Sequence, residues 1–204
     1  MLSSIFISLA QRYSNNTLLT ETLWNELESN YSNTSRTYHT LTHLKNLFEQ
    51  LNEVKSHIND WDTILFTMFY HDVIYNPSRN DNEEQSAEVA RKQLQSLSVP
   101  QEMISKCIQQ IITTKSHSIS TDNDTNIFTD ADLSILGQDW EVYSEYSKQI
   151  RKEYSIYSDS EYNLGRKNVI KHFLDMENIF KSDIFRVKYE NPARRNLLRE
   201  MECL

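Results

Sequence analysis

Three short stretches of this chain carry the side chains that bind divalent cations. The apolar run Phe66-Thr67-Met68-Phe69-Tyr70 ends in an adjacent pair, His71 and Asp72. Upstream, Arg36-Thr37-Tyr38-His39-Thr40-Leu41-Thr42-His43 sets two histidines four residues apart, the spacing that puts both on one helical face. Downstream lies Phe128-Thr129-Asp130-Ala131-Asp132-Leu133. Neighbouring residues of a helix are about 100° apart around its axis, so a His-Asp pair reaches one point only if other ligands approach from adjacent helices. Imidazoles and carboxylates with no thiolate suit an open site that leaves positions for water and substrate, with Mn²⁺, Mg²⁺, Fe²⁺, Co²⁺ or Ni²⁺ as the cation, better than a closed structural zinc.

Helices must do the positioning. In 204 residues there are only two Gly and three Pro, too few for a β-sandwich or a Rossmann-like sheet, and no repeat or linker divides the chain. The reading is all-α, one helical bundle over 1–204 that needs no staples, with a metal-site core over about 36–137 and the helices of 139–204 packed on it. A first packing helix carries Leu2, Ile5, Phe6 and Leu9 on one stripe, and a second opens at Thr20 or Glu21. Apolar spacing then predicts helices over 38–51, from Asp60 into the His-Asp pair, and over 84–97, 101–117, 140–157 and 162–180. A terminal helix starts near Asn191-Pro192. His43 and His71 are 28 residues apart, enough for two antiparallel neighbouring helices.

The order and wording of these motifs, Tyr-His-x-x-x-His at 38–43, Phe-Tyr-His-Asp-x-x-Tyr at 69–75, Asp-Asn-Glu-Glu at 81–84 and Asp-Ala-Asp-Leu at 130–133, resemble the HD-domain superfamily of metal-dependent phosphohydrolases, in particular an uncharacterised bacterial branch. The likeness runs from about Arg36 to Asn196. It implies a metal set of His43, His71, Asp72 and Asp132, with His39 in the same pocket as a substrate-facing or alternative ligand. It also brings Arg79 and either Glu83 or Glu84 to the border of the site, the first toward phosphate and an acid toward a water or a histidine. Lys115 and His117, in a Thr-x-x-His ending that looks like the family's, are candidates for neutralising phosphate charge and protonating a leaving group. Arg151, Tyr154 and Arg166 match further positions from which a side chain reaches substrate.

Each of these residues also has a plain structural reading. Arg36 is as well placed for a solvated loop as for a phosphate; Lys115 and His117 suit a helix C-terminus, and Asp130 suits a helix cap. The tyrosines at 143, 146, 154 and 157 read first as core and rim. His172 has no ligand neighbours and reads as structural.

Net charge is −8, which disfavours a nucleic-acid duplex as partner, because that binding draws on clustered Lys and Arg. The charge is uneven: residues 1–150 carry 10 basic and 20 acidic side chains, 151–204 carry 11 and 9. The C-terminal quarter can thus bring cations to a site whose ligands come from the acidic part, which suits a small phosphorylated substrate. Cys107 falls among Ile104, Ile108 and Ile111 as an inert core thiol, and two cysteines make no disulfide framework. No apolar run is long enough to span a membrane, and a cytoplasmic setting is expected, with a homodimer one open arrangement.

The expected activity is hydrolysis of a small phosphorylated compound, foremost a nucleotide, by metal-activated water. The alternative is a nucleotide-sensing or protein-interaction module on the same fold. Oxidation at a di-iron centre would need about two more histidines between the His-Asp pair and Asp132, where only His117 stands.

Overall fold

In the computed structural model, which describes residues 1–204, ten α-helices and two short 3-10 turns follow one another with no strand. The centre is α4 (Trp61–Tyr70), in which every residue from Thr63 to Tyr70 is buried. Its all-round burial follows from a sequence apolar on every face, and the two threonines it includes do not break it, since the Thr67 hydroxyl donates to the Thr63 carbonyl and to Gln110.

Around α4 pack α1 (Leu2–Ala10), α2 (Thr17–Tyr31), α3 (Leu41–Glu53), α5 (Asn82–Ser96), α6 (Gln101–Thr113) and α7 (Asn123–Asp132). Phe6 of α1 meets the edge of Phe69 at 5.1 Å, and Trp24 of α2 meets the same ring at 6.3 Å. The remaining helices are α8 (Trp140–Glu153), α9 (Asp159–Asp175) and α10 (Asp183–Cys203). One continuous apolar core joins Leu2 to Leu197, so the chain is a single domain. No helix is long and apolar enough to cross a membrane. Cys107 is fully buried, and burial pushes its thiol up to about 12, as an inert core residue requires.

Several helix boundaries differ from the periodicity. Asn16 caps α2 by accepting from the Leu19 amide, so that helix opens at Thr17, ahead of Thr20 and Glu21. The third helix starts at Leu41, behind Thr40 as N-cap, so His39 lies ahead of it and the two histidines do not share a helical face. α6 stops at Thr113; the chain turns through Lys115 and reaches His117 with φ of 48°. α8 stops at Glu153, four residues short of Tyr157. α9 opens at a capping box of Ser158 and Glu161, earlier than the apolar stripe alone indicates. Pro192, read as a helix start, lies inside α10, which begins at Asp183. A proline there removes one intrahelical bond, and the burial of Tyr189, Ala193 and Leu197 on that helix outweighs the loss.

Gly137, at the end of the turn Leu133–Gly137 that follows α7, is where α10 packs closely against the first half of the fold. A Cβ added there would lie 2.6 Å from Cβ and 2.8 Å from the carbonyl oxygen of Tyr189. Asn196 bonds across the same seam to the carbonyls of Leu136 and Gln138. Gly137→Ala is expected to cost about 1–3 kcal/mol, the usual penalty of overpacking, and to lower the melting temperature by several degrees in thermal denaturation. An unchanged melting temperature would contradict the close packing described.

Candidate metal centre

Helix ends deliver the candidate ligands. α4 ends at Tyr70, with His71 as its C-cap and Asp72 immediately after. The carbonyls exposed there are satisfied by side chains from α2 and the loop after it: the Tyr31 hydroxyl donates to the Phe69 carbonyl, while Arg36 donates to the carbonyls of Asp72 at 2.7 Å and Val73 at 2.9 Å. Arg36 is buried in this role and is a brace for the His-Asp turn, neither a phosphate ligand nor a solvated loop residue.

α7 is pinned at both ends by buried aspartates. Asp124 accepts from the amides of Asn59 and Asp60 and from Lys106. Asp130 accepts from the amides of Lys181 and Ser182 and from the Ser182 hydroxyl, so it holds the start of α10; the cap of its own helix is Asp122. Two residues past the second anchor, the last residue of α7 is Asp132.

His43 from α3, His71 from the end of α4 and Asp132 from the end of α7 meet, with one donor atom from each lying within 4.8 Å of the others. His43 Nε2 is 3.2 Å from His71 Nε2 and 3.3 Å from Asp132 Oδ1; His71 Nε2 is 3.6 Å from that oxygen. Donors about 2.1 Å from a common centre stand about 3.0–3.5 Å apart when adjacent, so these spacings fit a single small cation. Asp72 flanks the group on the His39 side, with Oδ2 3.1 Å from His71 Nε2 and 3.9 Å from the Nε2 atoms of His43 and His39.

His71 Nδ1 lies 3.0 Å from the Met68 carbonyl, which can only accept, so Nδ1 carries a proton and Nε2 is the nitrogen turned toward the cluster. Two imidazole nitrogens 3.2 Å apart cannot both present lone pairs to each other without a proton or a cation between them. Burial opposes charge on His71, but Asp72 and Asp132 outweigh it and raise its pKa well above the usual value. Burial likewise opposes ionisation of Asp72 and Asp132; the imidazoles override it and hold both carboxyls below their usual range. The donor set is therefore a buried, charged cluster with a gap that a divalent cation fits.

Through Asp72 and Asp132 the cluster borders a 540 Å³ cavity, while His43 and His71 lie behind its wall. His39, Glu83, Lys115, His117 and Arg166 all line it; Arg79 and Arg151 do not. His39 is held by a residue the sequence did not single out. One oxygen of Glu153, at the end of α8, accepts from the amides of Thr37, Tyr38 and His39, and the other lies 2.8 Å from His39 Nδ1. This carboxylate nest keeps 37–39 out of α3 and turns His39 Nε2 toward Asp72. Burial opposes its charge, yet the His39 contact and the amides hold Glu153 down at about 2. Its sequence neighbours, Arg151-Lys152-Glu153, read as an ordinary helix end and give no sign of it.

His117 points its Nε2 at Asp132 Oδ2, 3.9 Å away, from a left-handed backbone that a β-carbon makes costly. Burial lowers its pKa to about 4, so the ring is neutral near pH 7. Glu83 is raised, first by burial and also by Asp72, against the opposing pull of its own amide and of Lys115. Lys115 pairs with Glu84 and the Asn80 carbonyl. Arg166 forms a two-bond pair with Glu200, which also binds Tyr143 and Ser147 and so ties α8, α9 and α10 together.

Arg79 is exposed and paired with Asp81, away from the cavity wall. Arg151 spends its guanidinium on the carbonyls of Tyr154 and Tyr157 and on Asp159, where it shapes the α8–α9 turn. Arg79→Ala is accordingly expected to leave the melting temperature and any ligand affinity of the cavity within experimental error, as for an exposed ion pair. A tenfold loss of affinity would return Arg79 to the site. His172 is exposed and outside the cluster.

Comparison of the chain with protein-family models, with curated proteins and with solved structures finds no match.

Proposed function

We propose that this chain is a metal-dependent phosphohydrolase of the HD-domain type, acting on a small phosphorylated substrate, foremost a nucleotide. The observation that carries the reading is the gathering of His43, His71 and Asp132 from three helix ends, with Asp72 beside them and both carboxylates on the wall of a cavity large enough for such a compound. A divalent cation bound there would supply Lewis acidity toward a phosphoryl oxygen and lower the pKa of water.

The protein's own groups divide the remaining work. His43, His71, Asp72 and Asp132 are the ligand set, and Asp72, with a second oxygen to spare, accepts a proton from the attacking water. Water adds to phosphorus through its oxygen and the phosphorus–oxygen bond to the leaving group breaks, its electron pair going to the departing oxygen. The two protons of the water end one on the leaving group and one on phosphate. His39, fixed by Glu153, and His117, fixed by its turn, face the two flanking carboxylates and present ring nitrogens to the phosphoryl oxygens. Lys115, on the cavity wall, offers charge to the phosphate or the departing oxygen, and Glu83 lines the same cavity.

A sensing module on the same fold has one observation in its favour: both lining cations, Lys115 and Arg166, are already paired within the protein. Phosphate release from a panel of nucleotides and simple esters, run with Mn²⁺, Mg²⁺, Fe²⁺, Co²⁺ and Ni²⁺ beside calorimetric titration of the same compounds, separates the two. Metal-dependent release supports the hydrolase; tight binding with no release under any metal overturns it in favour of the module.

A further inference from the structure

Of the two glycines in the chain, only Gly137 is required by packing. Gly165 stands in the middle of α9 (Asp159–Asp175), where glycine costs about 1 kcal/mol relative to alanine. Its backbone is not left-handed, and a Cβ built on it meets nothing within 4 Å. Neither conformation nor close approach calls for a glycine there. It does line the 540 Å³ cavity, on the α9 side.

The wall it shares with α8 and the α8–α9 turn is largely apolar and aromatic: Tyr146, Ile150, Tyr154, Tyr157, Tyr162 and Val169. Tyr154 and Tyr157 stack at 27°, and neither ring carries a protein cation on its face. The hydroxyl of Tyr162, a residue 7 % exposed, has no hydrogen-bond partner. Arg166 commits Nε and Nη2 to Glu200 and leaves Nη1 without a protein partner. Nothing on this wall offers an unpaired cation to a second phosphoryl group.

We propose that Gly165 is a specificity-determining residue, which keeps the far half of the cavity open for a flat, uncharged ring on the alcohol side of a monophosphate ester. The ring lies against Tyr154 and Tyr157, and a polar edge on it satisfies the Tyr162 hydroxyl and Arg166. Nucleosides and phenolic alcohols share this chemistry. The inference rests on the phosphohydrolase reading for the phosphoryl end alone.

The test uses phosphonates, whose carbon–phosphorus bond resists hydrolysis, so that binding is read apart from turnover. Calorimetric titration of the full chain, supplied with Mn²⁺, is expected to show benzylphosphonate binding at least about 10-fold tighter than ethylphosphonate, from the added apolar burial. Gly165→Leu should weaken benzylphosphonate by about 10-fold and change ethylphosphonate by less than about 2-fold. Gly165→Ala, with open space for its methyl, is expected to raise the melting temperature and shows that the position tolerates a side chain. Adenosine monophosphate and phenyl phosphate, compared by phosphate release, tell a nucleoside from a plain aryl alcohol.

Equal affinity of the two phosphonates, or a Gly165→Leu protein that loses both alike while still folded, overturns the inference. If no ester is hydrolysed but the ring preference and its loss in Gly165→Leu remain, the phosphohydrolase reading fails and the ring site stands. If esters are hydrolysed without regard to the ring, the reverse holds.

Discussion

An Asp72→Ala protein is expected to lose phosphate release by about 10³-fold or more, because the residue next to the tight ligand group is the one with an oxygen free to take a proton. Its metal affinity should fall as well, by about 10–100-fold or more, since Asp72 Oδ2 lies within 4 Å of three imidazole nitrogens. The fold should survive: the backbone of the His-Asp turn is held by Arg36 and Tyr31, and the Asp72 side chain makes no hydrogen bond to the main chain. Circular dichroism, metal content and turnover, measured on one preparation, check all three. A protein that is fully metallated and fully active without this carboxylate would remove Asp72 from the chemistry.

The second large effect is expected at Glu153. Its side chain is buried and accepts three main-chain N–H groups besides holding His39, so Glu153→Ala leaves several buried donors without a partner. A loss of about 3 kcal/mol is expected, the scale found when one partner of a buried charged network is removed. Glu153→Gln keeps the shape and some of the acceptors, and isolates the charge. Because the folded-state pKa of Glu153 is depressed to about 2, the charge contributes stability above the ordinary carboxylate range near pH 4.3. That contribution is lost as pH falls from there toward 2. Urea denaturation at pH 7 and at pH 3 should therefore show the wild type and Glu153→Gln converging on the acid side. A difference between them that is unchanged with pH would mean the nest does not depend on the carboxylate charge.

Glu153 also shows what the sequence could and could not reveal. Helix class, the burial of the run before His71 and the candidate ligands were all legible, because apolar periodicity and the short list of ligand side chains are local properties. Meeting in space is not local. His39 was placed beside His43 by helical spacing, but it reaches the cavity from the turn ahead of α3, held by a carboxylate 114 residues downstream. Arg36, Arg79 and Arg151 could equally have been phosphate ligands by type; what decides is the carbonyls and carboxylates around each, which bind all three guanidinium groups elsewhere. Asp130 and Asp132 differ by two residues and by their whole purpose. One faces the start of α10 and the other the histidines, a division that follows from the angle between positions on a helix but needs the neighbours to be known. Pro192 misled for the opposite reason, since a strong local signal was overridden by packing along α10.

The most direct test of the central claim is the metal content of the purified chain and its uptake of Mn²⁺, Fe²⁺, Co²⁺ and Ni²⁺ by calorimetry, compared between wild type and Asp132→Ala. His43, His71 and Asp132 as a cation site predict stoichiometric uptake by the wild type and its loss in a variant that keeps its helical circular dichroism. A wild-type chain that takes up no ion, or an Asp132→Ala chain that holds it equally well, would contradict the site.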